Sequence, residues 1–223
     1  TLADGGLRIS TGSRERKLLV EYLNQQCSKL LFSSQKVGWS GVSFVLPDRT
    51  IGPESADEVI FQGDLDGYQN FRVSGMVEDW REKVSKYCVG NSRLQFAVSA
   101  AFAGPLLTLC NFDGGGFHFV GETSCGKSTA LIVGGSVIGG GGRQGFTQSW
   151  RTTDNGLEAV AEQHNDLTLF LDELAEVDPK RAAEVAYLLG NGAGKGRMSK
   201  TISARRKLSW TLLYVSAGEV TLR

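Results

Sequence analysis

Gly121-Glu122-Thr123-Ser124-Cys125-Gly126-Lys127-Ser128 fits the pattern G-x-x-x-x-G-K-[ST], and this octet restricts the fold more than anything else in the chain. Ahead of it, Phe117-His118-Phe119-Val120 reads as a short buried strand. Behind it, Thr129-Ala130-Leu131-Ile132-Val133 reads as an apolar helix. Gly121 and Gly126 free the backbone from Cβ clashes, so successive N–H groups can converge on phosphate oxygens. A helix starting near Lys127 adds its positive end at the same point. The pattern predicts that Gly121, Glu122, Thr123, Ser124, Cys125, Gly126, Lys127, Ser128 and Thr129 wrap ATP. Lys127 would reach the β- and γ-phosphates, and the Ser128 hydroxyl would ligate Mg2+. A chance match is the competing account in a chain with 29 glycines among 223 residues, and the strand and helix on either side weigh against it.

Farther along, Leu167-Thr168-Leu169-Phe170-Leu171-Asp172-Glu173 has the texture of a buried strand ending in two acids. Ligands of a parallel sheet sit at the carboxyl ends of its strands, so these acids are expected beside the phosphate loop. Asp172 is the expected second Mg2+ ligand, and Glu173 is placed to orient or deprotonate an attacking water. An Asp-Glu pair also suits a helix N-terminus; strand character downstream of a phosphate loop favours the nucleotide role. Leu208 to Val215 reads as a further core strand, with Ser216 at its end as a candidate sensor of the γ-phosphate and Glu219 as a second candidate. The catalytic set is then Glu173, Lys127 and Ser216.

Hydrophobic residues make up 41% of the chain, enough for a real core, and the formal net charge is zero. Any nucleic-acid contact must therefore come from a local patch. One segment supplies it: Lys195, Arg197, Lys200, Arg205, Arg206 and Lys207 follow one another without an acid among them. Gly190-Asn191-Gly192-Ala193-Gly194-Lys195-Gly196-Arg197 opens this segment and is expected to form a hairpin with a tight tip. It is not a second phosphate loop, because Lys195 is followed by Gly196 and not by a hydroxyl residue. Lys195, Arg197 and Lys200 are candidate contacts to a single-stranded DNA backbone, with a solvated basic loop as the alternative.

The four cysteines form no C-x-x-C pair, which argues against zinc and disulfides and for a reducing, cytoplasmic setting. His118 and His164 lack cysteine or histidine neighbours and read as structural or surface residues. Leu94 to Leu109 is the longest apolar stretch. It is shorter than a bilayer span and interrupted at Gly104-Pro105, so it is expected to be a buried, kinked helix, and no membrane partner is expected. Glu54, Asp57, Glu58, Asp64 and Asp66 are most simply a solvated surface.

Helical spacing over 14–26 and 77–87, with short strands at 38–39, 42–48 and 59–61, predicts a small N-terminal α+β unit. The organisation expected is that unit over 1–90 and a P-loop ATPase core over 91–223, an α/β parallel sheet flanked by helices. A start without Met reads as an excised fragment.

The order of phosphate loop, acidic strand, basic hairpin and sensor strand resembles the AAA+ ATPases, in particular the superfamily-three and MCM-like helicases. The chain is still more similar to the bacterial family called domain of unknown function 927. That likeness rests on Gly116 to Gly121, Ser149-Trp150-Arg151-Thr152-Thr153-Asp154-Asn155-Gly156-Leu157-Glu158, Leu171-Asp172-Glu173-Leu174, Asn191 to Gly196 and Ser216-Ala217-Gly218-Glu219, with Gly38-Trp39 and Ala101 to Leu107 upstream. The resemblance implies a helicase module of mobile genetic elements or phages, often accompanied by a primase. It implies a ring, expected to be a hexamer, with Lys195 and Arg197 on a pre-sensor hairpin in the central channel. The chain stops at Arg223, soon after the sensor strand, so a lid with its second sensor is not expected. Only Arg205 and Arg206 offer themselves as an arginine finger. Hence the fragment alone is expected to bind ATP but to hydrolyse it weakly. The function expected is an ATP-hydrolysing DNA helicase or translocase; the alternative is an ATP-binding switch or scaffold without motor work, and a kinase is disfavoured by the lack of a legible acceptor pocket.

Overall fold

A computed structural model describes residues 12–25, 31–54, 56–140, 145–174, 179–194 and 207–221. Contacts divide the chain into two units, Thr1–Phe32 and Ser33–Arg223. The first contains α1 (Ser13–Gln25), whose Leu18, Tyr22 and Leu23 follow helical spacing and are all exposed. The segment from Val37 to Trp39, in the second unit, is bonded to Pro105, Asn165 and Asp166. The Trp39 N–H donates to Asp166 Oδ2 at 2.9 Å, the Trp39 indole donates to the Pro105 carbonyl at 2.7 Å, and Asn165 Nδ2 donates to the Val37 carbonyl at 2.9 Å.

After β1 (Phe32–Ser34), a small antiparallel sheet is built from β2 (Gly38–Ser40), β3 (Ser43–Val45) and β4 (Thr50–Ile51), while Ser34 accepts the Gln62 N–H beyond β5 (Val59–Phe61). Gly41, at φ 60°, makes the tight β2–β3 turn that a Cβ would disfavour. Next come α2 (Val77–Lys83), a 3-10 turn over Ser85–Cys88, α3 (Ser92–Ala103) and α4 (Leu106–Leu109). The Asn91 side chain caps α3 by accepting the Leu94 N–H at 3.2 Å. The break at Gly104-Pro105 is present as expected. A Cβ on Gly104 would strike the backbone of Leu167 and Thr168, so glycine is what lets this end of α3 lie on the sheet. The stretch is not wholly buried, however. Ala97, Ala100, Ala101 and Gly104 are buried and Phe96, Ala103 and Leu107 pack partly covered against the core, whereas Phe102, Leu106 and Leu109 are exposed.

The main sheet comprises β6 (Gly115–Val120), β7 (Gln148–Ser149), β8 (Leu167–Asp172) and β9 (Leu212–Gly218), interleaved with α5 (Lys127–Gly135), α6 (Asp154–Gln163) and α7 (Pro179–Asn191). Its order is β6-β9-β8-β7, and every pairing is parallel. Period-two alternation along β9 sends Leu213, Val215 and Ala217 into one apolar cluster with Leu131 and Phe170, and Leu212 and Tyr214 into another with Leu157 and Leu189. Covering both faces of a parallel sheet in this way makes an α/β fold. The expectation that Phe117 to Val120 is buried needs correction: β6 lies at the end of the strand order, and its Phe117 and Val120 are each 50% exposed. Among the described residues no helix is long and apolar enough to cross a membrane, and Cys88, Cys110 and Cys125 are free thiols.

Candidate nucleotide site

The phosphate loop leaves β6 with the Gly121 N–H bonded to the Gly218 carbonyl at 3.3 Å. Two left-handed residues shape it, Ser124 at φ 63° and Gly126 at φ 89°, and α5 starts at the next residue, Lys127. The left-handed conformation is easy for Gly126; for Ser124 it costs about 1 kcal/mol and is held by the surrounding loop. Lys127 Nζ donates to the carbonyls of Gly121 and Glu122 at 2.7 and 2.6 Å and lies 3.6 Å from Cys125 Sγ. At the loop's tip, the Thr123 hydroxyl donates to the Glu219 carboxylate, which comes from just past β9.

The acids arrive at the same end of the sheet. Val120 pairs with Gly218 and Leu171 pairs with Ser216, so Asp172 and Glu173 emerge level with the start of the loop. Only β9 stands between β6 and β8, which sets the loop and the acids roughly 10 Å apart by strand spacing. Ser128, Asp172 and Glu173 line one cleft of about 390 Å3 with Ile132, Thr147, Gln148 and Ser149. Glu173 has a left-handed backbone, φ 68°, and its N–H is bonded to Asp172 Oδ1 at 2.9 Å. Its carboxylate accepts the Ser149 hydroxyl at 2.9 Å.

These groups fit a magnesium nucleotide. Ser128 and Asp172 offer hard oxygen ligands, and a cation that keeps waters and phosphate oxygens needs few from the protein. Among the described residues no group of three or more His, Cys, Asp or Glu is set to hold a metal by itself.

Ser216 takes a different place from the one expected. It lies inside β9, two residues short of the strand's end, and is fully buried. Trp150 Nε1 donates to its oxygen at 2.9 Å, and His118 Nδ1 lies 3.0 Å from the same oxygen. His118 Nε2 is 2.8 Å from the Val220 carbonyl, which can only accept. The imidazole proton therefore sits on Nε2, and Nδ1 accepts the Ser216 hydroxyl proton. These bonds join Ser216 to His118 of β6 and to Trp150 just past β7, and the Glu219 carboxylate meets the loop at Thr123. Sequence reasoning named Trp150 only within the family likeness, without its bond to Ser216, and left His118 without a partner; a single large indole within the polar run from Ser149 to Asn155 was the available signal.

Lys195, Arg197 and Lys200 lie outside the described residues, as do Arg205 and Arg206. The base of their segment is described and pairs antiparallel, while Gly190 and Asn191 end α7 and do not belong to a turn tip. Ala193 bridges Ser209 antiparallel, the Gly194 N–H reaches the Leu208 carbonyl at 2.9 Å, and the Trp210 N–H reaches the Gly192 carbonyl at 2.9 Å. The buried Glu158 of α6 packs against this base: a Cβ on Gly194 would stand 2.9 Å from Glu158 Oε2.

Residues 1–209 match the family described as Domain of unknown function (DUF927). The chain belongs to the DUF927 family. No curated protein matches it. A solved structure described as "SCCmec type IV Cch - active helicase" superposes on this DUF927 chain with a TM-score of 0.71 at 20% identity. The overlap takes in 93% of this chain and 40% of that one, so the DUF927 chain spans less than half of the helicase's length. At that identity the likeness establishes the fold, a P-loop α/β domain with helices flanking its parallel sheet.

Proposed function

We propose that the protein is an ATP-hydrolysing motor that moves along single-stranded DNA as a helicase or translocase, serving the replication of a mobile genetic element. The observation that carries this reading is the meeting of Ser128, Asp172 and Glu173 in one cleft beside the phosphate loop. Backbone N–H groups of the loop and Lys127 hold the phosphates, and Ser128 with Asp172 hold Mg2+. The cation, when bound, supplies charge neutralisation on the phosphoryl oxygens. Glu173 accepts the proton of the attacking water, and to do so it exchanges its bond from Ser149 for one from that water.

The active form is a ring of this chain, a hexamer, in the cytoplasm. Lys195, Arg197 and Lys200 contact the DNA backbone, the segment up to residue 90 is accessory to the ATPase core of 91–223, and a primase is a partner. The likeness in fold to a structure described as an active helicase supports this direction. A neighbouring subunit would supply an arginine to the transition state, so the isolated fragment turns over slowly. The test measures ATP binding and ATPase rate with and without single-stranded DNA. Lys127→Ala should lose ATP binding, and Glu173→Gln should keep binding while turnover falls by at least about a hundredfold. ATP binding indifferent to Lys127→Ala would sink the site, and a Glu173-dependent ATPase without DNA stimulation or unwinding would leave a nucleotide switch in place of a motor.

A further inference from the structure

A second, wider groove of about 1230 Å3 opens at the far end of α5, between α2 and the turn that follows Gly135. Three guanidinium groups line it, from Arg49, Arg72 and Arg81. Arg72 and Arg81 have no hydrogen-bond or ion-pair partner among the described residues. Of the acids nearby, Asp79 pairs with Lys83 at 2.5 Å and Glu82 with Lys86 at 3.2 Å, while Asp48 pairs with Arg49 at 3.8 Å. Between the arginines lies apolar surface that is open to water, with Met76 68% and Phe102 60% exposed. The floor is fixed before any ligand arrives. Trp80 Nε1 donates to Ser136 Oγ at 2.9 Å, Ser136 Oγ donates to the Val133 carbonyl at 2.7 Å, and the Gly140 N–H donates to the Asn70 carbonyl at 3.0 Å.

We propose that this groove is a docking site for an acidic, amphipathic segment of a partner protein, whose carboxylates pair with Arg72 and Arg81 while its apolar side chains cover Met76 and Phe102. Charge complementarity sets the sign of the occupant: among the described residues the lining has no Asp or Glu, and of its three arginines only Arg49 has an acidic partner, Asp48 at 3.8 Å. Composition sets its class. Arg, Met, Trp and Phe with no Lys among the described lining residues is the make-up of a protein–protein interface core. A groove for single-stranded nucleic acid would instead line up stacking rings along a charged track, whereas Val73, Val77 and Ile138 make these walls aliphatic. Guanidinium forks suit planar carboxylates, and Met76 adapts to varied apolar partners.

The experiment titrates the full chain into a fluorescein-labelled short peptide with Leu at helical spacing and Glu elsewhere, read by anisotropy. A Lys-for-Glu version of the peptide and labelled oligo-dT serve as comparisons. Saturable binding of the acidic peptide alone is expected, weakened at least about tenfold by Arg72→Glu with Arg81→Glu and also by Met76→Asp. ATP binding and thermal midpoint, measured in parallel, should stay unchanged in these variants; if the double variant does not fold, Arg72→Ala and Arg81→Ala singly should each weaken binding. Absence of saturable binding, binding indifferent to these substitutions, or oligo-dT binding that depends on the same arginines would overturn the proposal.

Discussion

Ser149 Oγ donates to the Glu173 carboxylate at 2.9 Å, joining the end of β7 to the first residue past β8. The bond fixes the direction of the side chain that the proposed reaction needs as a base. Hydrogen bonds to charged groups contribute about 1.5–3 kcal/mol where water is excluded and less at an exposed pair such as this one. Ser149→Ala should therefore release Glu173 and raise the DNA-independent, single-turnover ATPase rate by about threefold, a gain of under 1 kcal/mol in the barrier. A rate that falls would mean that Ser149 orients the carboxylate for reaction instead of holding it back.

Ser216 provides a second test, of structure against sensing. In Ser216→Ala the Trp150 indole N–H loses its acceptor in a fully buried place. Leaving a buried donor unsatisfied costs about 1–3 kcal/mol, so the urea midpoint should fall by a matching amount. ATP affinity, by contrast, should change less than about twofold, within the range of a substitution that touches no ligand. A large loss of affinity with little loss of stability would return Ser216 to the role of phosphate sensor.

The pair of tests also marks what was legible in the residues alone. The octet from Gly121 to Ser128 and the acids Asp172 and Glu173 are short-range signals, a backbone pattern and a strand end, and they lie together in the fold. Strand burial was less readable. Phe117 to Val120 is apolar enough for a central strand, but its place at the end of the sheet depends on the order of four strands distant in sequence. The same limit hid the bond from Trp150 to Ser216, whose partners are 66 residues apart. The apolar run from Leu94 to Leu109 told its length and its break, whereas which face is covered was decided by the approach of α5 and β8 to three alanines.

Asp166 is expected to hold the small antiparallel sheet to the core. It is 4% exposed and accepts from the Trp39 N–H at 2.9 Å, from Asn165 Nδ2 at 2.8 Å and from the Thr108 hydroxyl. Asp166→Ala strips three donors of their acceptor and should destabilise by about 2–4 kcal/mol. Asp166→Asn places an NH2 group among those donors and should remain clearly destabilised, although Asn tolerates the left-handed backbone at φ 55°. Denaturant unfolding of both variants checks this. If Asn restores full stability, side-chain shape and not acceptor number is what matters there.

His164 should make stability depend on pH below neutrality. Burial, with Phe71 and Phe146 against the ring, lowers its pKa to about 4, opposed in part by the bond from Nδ1 to the Val160 carbonyl at 2.7 Å. Its Nε2 is buried and has no hydrogen-bond partner among the described residues, so a proton added there would find no acceptor among them. In the unfolded chain the same imidazole takes up a proton near pH 6.5, so the unfolded state binds more protons as pH falls below that value. The contribution of the neutral ring is complete above pH 6.5 and is lost at about 1.4 kcal/mol per pH unit on the way down to about 4. At pH 5 the deficit should reach about 2 kcal/mol. His164→Phe keeps the aromatic packing, loses the bond to Val160, and should flatten this part of the profile whatever its stability at neutral pH. Thermal midpoints of the two chains across pH 7.5 to 5 decide the matter, and an equally steep decline in His164→Phe would assign the titration to another group.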